Sequence, residues 1–367
     1  MPQLDKVAIQ NFRNIEFQEL EFSPNVNCIL GNNGEGKTNL MDAIWYLSMT
    51  KSAFAASDQF NFRHGTDSFS IAGTYRMENG TQSRFSVSCE SRGVKKVRCN
   101  DKVYPKVSSH IGVLPIVMVS PSDVSLVSES GEERRRFANS VLSQMDQMYL
   151  ANVQQYNRVL LQRNRMLKDG NADDGLLSVF DSQLDTYARA IGESRKAFVS
   201  DLQPVVSSLY RSLSGGRESV SIEYRTDLDR GSLRDLLAEC RDRDAALRYT
   251  TAGVQRDDFI FKMDDYPIRR CGSQGQQKSF LVALKFAQYS LMDARSGVKP
   301  ILLLDDLLDK LDMQRASHLL DMVSGQEFGQ IFISDSDRAR TAAAIDPCTT
   351  ERAYFKAEGG VFTRIDG

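Results

Sequence analysis

The residues with the clearest chemical purpose are Gly31-Asn32-Asn33-Gly34-Glu35-Gly36-Lys37-Thr38. A glycine, four residues and Gly-Lys-Thr form the P-loop pattern, in which successive backbone N–H groups and a helix N-terminus converge on a triphosphate. Lys37 is then expected to reach the β- and γ-phosphates, and the Thr38 hydroxyl to ligate Mg2+. Positioning such a loop takes a buried strand before it and a helix after it. Val26-Asn27-Cys28-Ile29-Leu30 reads as that strand, and Leu40, Ala43, Ile44 and Leu47 repeat as one face of that helix. A chance glycine-rich turn would need neither.

Two further stretches extend this chemistry. Ile301-Leu302-Leu303-Leu304-Asp305-Asp306 is an apolar strand ending in two carboxylates. At the C-terminal edge of a parallel sheet, Asp305 would hold Mg2+, and Asp306 would point at the γ-phosphate and polarise the attacking water. Ser273-Gln274-Gly275-Gln276-Gln277 opens an amphipathic helix with Leu281, Leu284, Ala287 and Leu291 on its apolar face. A hydroxyl, a glycine N–H and a helix N-terminus together make a second anion-seeking surface. One triphosphate cradle is already present in the chain, so this surface is expected to act on a second copy's ATP, as the signature loop does in the sandwich dimers of ABC-type ATPases.

Composition bounds the remaining possibilities. The formal net charge is −2, so no global basic field marks a nucleic-acid partner, and DNA binding would come from local patches or from assembly. The six cysteines are scattered, without a Cys-x-x-Cys pair or a His-Cys cluster, which fits a reducing cytosol and argues against zinc. No apolar signal core or membrane-length run appears, and the expectation is a soluble, cytoplasmic protein with no membrane association.

In chain order, Val7, Ile9, Ile15, Phe17, Leu20 and Phe22 read as edge strands bracketing the turn Gln10–Asn14. Arg13 and Asn14 are candidates to reach the nucleotide, or else an exposed hairpin tip. From Phe69 to Val107 the apolar period is two, with hairpin turns at Asn79-Gly80, Arg92-Gly93 and Asn100-Asp101. This antiparallel meander is basic around Lys95 and Lys96, which suits either phosphate-backbone contact or a solvated face. After the strand Val113–Val119 and the turn Ser120-Pro121-Ser122-Asp123, a helical region runs from Gly131 to about Leu213. Tyr149, Val153, Tyr156, Leu160 and Leu167, then Leu177, Phe180, Leu184, Tyr187 and Ile191, repeat at three-four spacing on either side of Asp169-Gly170-Asn171. That predicts two antiparallel helices forming a short arm, with Pro204 kinking or ending the second. Arg158, Arg163, Arg165 and Lys168 cluster near its tip as contact candidates, or as a solvated face.

The motifs together resemble the RecF family, the recombination-mediator ATPases related to SMC proteins, and the resemblance runs essentially end to end. It rests on Asn11 to Asn14, Gly36-Lys37-Thr38-Asn39-Leu40, Lys51-Ser52, Ser120 to Asp123, Arg134-Arg135-Arg136-Phe137, Arg256-Asp257-Asp258 and Gln274 to Gln277. It implies ATP and Mg2+ as ligands and an ATP-dependent homodimer clamped on double-stranded, gapped or junction DNA. It further implies slow ATP hydrolysis and work with RecR and RecO to load RecA in DNA repair, replication and the response to damage. Arg134 and Arg135 join Lys95 and Lys96 as DNA candidates, and Asn39 joins the nucleotide-binding loop. The chain departs from the family pattern at Asp309-Lys310-Leu311-Asp312 and at Val254-Gln255, and by placing Ser334 and Asp335 where many ABC ATPases carry a switch histidine. Other SMC-like heads insert arms of hundreds of residues, and a transporter ATPase would lack the arm.

The fold expected is therefore α/β: an ABC-type P-loop ATPase head, its mixed sheet joined by an antiparallel meander, plus a helical arm domain. The head would comprise residues 1–128 and 245–367, and the arm 129–244.

Overall fold

A computed structural model describes residues 2–170, 173–306, 328–347, 349 and 351–365. Asp309, Lys310, Leu311 and Asp312, singled out above, lie outside the described residues. The chain forms two compact units, residues 1–123 with 281–367, and residues 124–280. The sequence boundaries at 128 and 245 fall elsewhere: residues 245–280, with the Arg256-Asp257-Asp258 and Ser273 stretches, belong to the second unit. The reason is strand pairing, since the strand after Asp257 joins one from the arm side.

The first unit holds two six-stranded sheets. One is antiparallel, built from β1 (Gln3–Phe12), β2 (Ile15–Glu21), β4 (Ser68–Arg76), β5 (Gln82–Glu90), β6 (Lys96–Cys99) and β7 (Lys102–Val103) in the order β2-β1-β4-β5-β6-β7. Alternation drives it: Phe69, Ile71 and Tyr75 on β4 and Phe85, Val87 and Cys89 on β5 are buried, with polar residues between. Asn100 and Asp101 both take positive φ, 47° and 67°, as a two-residue hairpin turn of matching twist requires. β1 is not the edge strand expected, because it pairs on both sides, with β2 and β4.

The other sheet has the order β15-β14-β3-β13-β12-β8, from β15 (Val361–Ile365), β14 (Arg352–Glu358), β3 (Val26–Leu30), β13 (Ile331–Asp335), β12 (Ile301–Leu304) and β8 (Ile116–Val119). All neighbours are parallel except β14 and β15. β3, β8, β12 and β13 are buried at every position, which explains why they are apolar apart from Asn27 in β3 and Ser334-Asp335 at the end of β13. Helix α1 (Lys37–Met49) leaves the P-loop and touches strands of both sheets. Ten of its thirteen residues are buried, so the single apolar face read from Leu40, Ala43, Ile44 and Leu47 understates a helix enclosed nearly all round.

The second unit is mostly helical: α2 (Ser125–Ser128), α3 (Gly131–Met145), α4 (Gln147–Asp169), α5 (Asp174–Ser214), α6 (Leu233–Glu239), α7 (Arg241–Leu247) and α8 (Ile268–Cys271). Strands β9 (Val220–Arg225), β10 (Asp258–Met263) and β11 (Tyr266–Pro267) form a small antiparallel sheet. α9 (Gln274–Ser296) begins in this unit and continues into the first, where α10 (Arg338–Ile345) also lies. Asp146 and Asp173 cap α4 and α5, and Gly170, with φ 71°, closes α4. α5 runs 41 residues through Pro204 without ending there. Twelve buried residues along it, against α4, α6 and β9, outweigh the one backbone hydrogen bond that proline removes.

Charges inside the arm correct one sequence expectation. Arg163 is fully buried and does not reach solvent. Its Nε donates to Asp181 Oδ1 at 2.7 Å, and one terminal nitrogen donates to Asp244 Oδ2 at 2.7 Å and Thr250 Oγ1 at 2.8 Å, tying α4 to α5 and to the segment after α7. Arg158, Arg165 and Lys168 are exposed. Removing the guanidinium leaves the buried Asp244 with no cation among the described residues and Asp181 with Arg241 at 3.2 Å, so Arg163→Ala is expected to lower unfolding stability by about 3–5 kcal/mol. The check is the urea midpoint of the Arg163→Ala protein against that of Arg165→Ala, for which no comparable loss is expected.

Candidate functional site

The P-loop takes its shape from glycines that no other residue can replace without strain. Gly34 and Gly36 have φ of 89° and 104°. At Gly31 a Cβ would lie 2.6 Å from the Ala357 carbonyl of β14, so the strand-to-loop exit passes too close to that backbone for a side chain. Gly36 is the N-cap of α1 with no side-chain cap and no acidic residue in the first turn, which leaves the helix's first N–H groups available for an external anion. Lys37 is 3% exposed and lies across the loop, Nζ donating to Gly31 O at 2.8 Å and Asn32 O at 3.2 Å and standing 3.5 Å from Asp306 Oδ1.

Strand β12 brings its two carboxylates to this loop. Thr38 Oγ1 donates to Asp305 Oδ2 at 2.9 Å, and Ser334 Oγ, from the end of β13, donates to Asp305 Oδ1 at 2.6 Å. The same Ser334 oxygen accepts the Asp306 N–H at 2.9 Å. Asp306 sits at φ 44°, a left-handed conformation that a non-glycine residue holds only when its surroundings fix it. Ser334 is one of those surroundings. Burial pushes the Asp305 pKa up, the hydrogen bonds from Ser334 and Thr38 oppose this, and Asp306 adds to the rise. A hydroxyl and a buried carboxylate are hard oxygen donors suited to Mg2+. No group of three or more potential metal-binding side chains occurs among the described residues.

Arg13 and Asn14 both reach the loop's surroundings, but in different ways. Arg13, with φ 54°, pairs with the buried Asp42 at 2.6 Å and donates to Asn39 Oδ1 at 3.0 Å, Ser52 Oγ at 2.9 Å and Asn61 Oδ1 at 3.3 Å. Its guanidinium is thus occupied by α1 and the segment after it. Asn39, in turn, donates to Asn14 Oδ1 at 2.7 Å, and Asn14 packs against Gly36 so closely that a Cβ there would meet its Nδ2 at 2.7 Å. Two partners of the loop escaped the sequence reading. The β14–β15 turn donates the Gly359 N–H to the Glu35 carboxylate and the Gly360 N–H to Glu35 O at 2.9 Å. The Gly-Gly pair between two alternating runs was the available signal for that turn. Asp42, a carboxylate within an apolar helix pattern, was the signal for the Arg13 pair.

The other candidates separate by burial. Arg134 is buried, its Nε and one terminal nitrogen forked onto Asp258 at 2.8 and 3.1 Å and the other terminal nitrogen donating to Leu126 O and Glu129 O at 3.0 Å. That corrects its placement among DNA contacts, since its donors are met inside the unit. Arg135 is half-buried and donates to Asp257 O at 2.7 Å. Lys95 donates to Thr50 O at 2.7 Å, pairs with Asp58 at 2.7 Å and lies over the Tyr46 ring, which likewise ties it to α1. Lys96 is exposed. In the second unit Ser273 caps α9 in a reciprocal box: Ser273 N donates to Gln276 Oε1 at 2.7 Å, and Gln276 N donates to Ser273 Oγ at 3.3 Å. The Ser273 hydroxyl proton remains to donate outward, Gln274 is exposed and Gly275 half-buried, while Gln277 Nε2 is bound to Gly272 O at 2.9 Å.

Comparison with known proteins places this arrangement. The RecF/RecN/SMC N-terminal domain model matches residues 3–349. The chain is 41% identical over 357 residues to the DNA replication and repair protein RecF of Parabacteroides distasonis, covering 97% of this chain and 98% of that one. It is also 41% identical over 356 residues to that of Flavobacterium johnsoniae, covering 96% and 98%. The chain belongs to the RecF family. A solved structure of the recombination mediator protein RecF with ATP superposes with a TM-score of 0.90 at 26% identity, over 100% of this chain and 98% of that one. The Smc head domain of Pyrococcus furiosus shares the fold alone, with a TM-score of 0.59 at 14% identity. An ABC-type P-loop head with a helical portion is therefore the fold of this RecF-family chain, as the motifs led one to expect. No helix among its described residues is long and apolar enough to cross a membrane.

Burial of an ionised Asp305 works against folding of the nucleotide-free protein. Asp305→Asn is accordingly expected to raise its stability at neutral pH, by about 1 kcal/mol, as replacements at strained functional sites commonly do. A raised carboxyl pKa means that this penalty applies above it and is relieved below, so the advantage of the variant should shrink as pH falls through the Asp305 pKa. Thermal unfolding of both proteins between about pH 4 and pH 8 checks this, against an ordinary aspartate pKa of about 3.9.

Proposed function

We propose that the chain is an ATP-dependent DNA-binding protein of recombinational repair whose ATP-joined head-to-head dimer acts as a clamp at gapped DNA. The observation that carries this reading is the convergence of Lys37, Thr38, Asp305 and Asp306 on one uncapped helix N-terminus, in a chain of the RecF family. Relatives named for DNA replication and repair, and a RecF structure solved with ATP, support the substrate and the setting.

In this reading the N–H groups of Gly31 to Asn39 cradle the β- and γ-phosphates, and Lys37 turns from the loop carbonyls to the phosphate oxygens. Asn14 and Arg13 hold the loop from the side. Mg2+, held by Thr38 and Asp305, supplies charge neutralisation at the phosphates. Asp306, oriented by Ser334, accepts the proton of a water attacking the γ-phosphorus in line with the bond to ADP. That bond breaks as the new P–O bond forms, leaving ADP and phosphate. The cap of α9 from a second copy, Ser273 to Gln277, completes the site in trans. ATP then joins two heads, the arms close on DNA, and hydrolysis releases it. RecR and RecO are the partners of this clamp in loading RecA, in the cytoplasm. Of the two units, residues 1–123 with 281–367 serve as the head that carries the nucleotide site, and residues 124–280 supply the arm and the start of α9.

Turnover is expected to be slow, well below the median enzyme value of about 10 per second, since no histidine stands at the switch position after β13. The deciding measurement is molar mass by light scattering, with and without ATP-Mg2+. Mass is expected to double with ATP, to stay doubled longer in Asp306→Asn, and to remain single in Ser273→Arg. A protein that stays monomeric under every condition overturns the clamp; a Ser273→Arg protein that still binds DNA in response to ATP overturns the role given to that cap.

A further inference from the structure

Beyond the nucleotide site, the second unit holds a groove where cations outnumber carboxylates. Arg134, Arg225, Lys262, Arg269 and Arg270 line it, against Glu223 and Asp258. Both carboxylates already have partners. Asp258 carries the fork from Arg134, and the Arg134 fork holds its pKa below the ordinary value despite burial. Glu223 pairs with Lys262 and, at 3.8 Å, with Arg225. Arg269 and Arg270 are exposed and have no carboxylate partner among the described residues.

The two arginines are held on a stiff element. They occupy α8, whose end is closed by Gly272 N donating to Ile268 O at 2.8 Å, while Gln277 of α9 binds Gly272 O. Ile268 is buried, anchoring the turn. On the neighbouring β10–β11 hairpin, Tyr266 is 69% exposed. A compact triphosphate site is enclosed and built on backbone N–H groups, as the P-loop is. Here the donors are long side chains on a β-ribbon and a short helix. Arginine forks match phosphate oxygens in pairs, and a row of cations on side chains suits a chain of phosphates better than a single nucleotide.

We propose that this groove, through Arg269 and Arg270, binds the phosphate backbone of DNA. The assignment rests on the DNA-binding reading given above. The test is fluorescence anisotropy of a labelled gapped duplex with the full-length protein in ATP-Mg2+, titrated at a series of salt concentrations. The parent is compared with Arg269→Ala/Arg270→Ala and with Arg269→Lys/Arg270→Lys. Two lost phosphate contacts should make the slope of log affinity against log salt shallower by about two in the alanine pair, with the lysine pair close to the parent. ATP-driven doubling of mass should be the same in all three. If parent and alanine pair bind DNA alike, the DNA reading stands and this groove is not its surface. A loss of mass doubling in the alanine pair would instead assign the arginines to the second copy's triphosphate and overturn the proposal. Should the parent bind no DNA at any salt, the underlying reading fails, and this assignment with it.

Discussion

The first unit depends on one buried carboxylate. Asp305 sits 2% exposed at the end of an all-apolar strand, and no arginine or lysine among the described residues forks onto it; two hydroxyls, Thr38 and Ser334, supply its hydrogen bonds. Desolvating a charge in this way is costly unless a cation shares the site. A structure assembled for stability alone would have placed a guanidinium there, as it did at Asp42 and Asp181. The two hydroxyls leave the carboxylate's charge uncancelled while fixing its direction. They also come from the two elements that matter, the P-loop helix and the strand neighbouring β3 and β12, so the carboxylate registers one to the other.

That contrast between satisfied and unsatisfied charge organises the whole chain. Several carboxylates that join elements meet an arginine: Asp42 with Arg13, Asp181 and Asp244 with Arg163, Asp257 with Arg195, Asp258 with Arg134. Burial raises the pKa of Asp42 and Asp257 even so, with Arg13 and Arg195 acting in the opposite direction. Breaking one such pair leaves the other charge stranded, which makes these pairs strict about geometry even where their net stabilisation is small. The Arg-Asp-Asp stretch at Arg256 is an instance: its two carboxylates each grip an arginine from α5 or α3, while Arg256 itself is exposed.

How much of this was legible in the sequence follows from the range of the interactions. The P-loop, the strand before Asp305 and the meander are local patterns of period two or of fixed spacing, and they stand where the residues indicated. The helix arm was legible for the same reason, being two runs of three-four spacing with a turn between. What could not be read were pairings across long separations. Arg13 with Asp42 or Ser52, Ser334 with Asp305, and Glu35 with Gly359 join residues up to 324 positions apart. Composition marks arginines as surface cations by default, and Arg134, Arg163 and Lys95 were assigned outward for that reason. Each has a carboxylate within salt-bridge distance that only the fold supplies.

The same logic explains why α1 can serve as a relay. Its N-terminus is bare toward the anion, its body is enclosed by both sheets, and its buried Asp42 is gripped by the β1–β2 turn through Arg13. A helix buried on most sides cannot tilt without disturbing close-packed neighbours on each of them. Its packing against β1, β4 and β8 therefore resists displacement of the loop. The β14–β15 turn is attached to Glu35 and packs against Asn14 of the β1–β2 turn, so the two turns brace the loop together. The orientation of Asp305 and Asp306 is fixed by Thr38 and Ser334. The two carboxylates are preorganised in the electrostatic sense, their direction set by folding, whereas Lys37, bound to the loop carbonyls, must turn to serve the reaction proposed above.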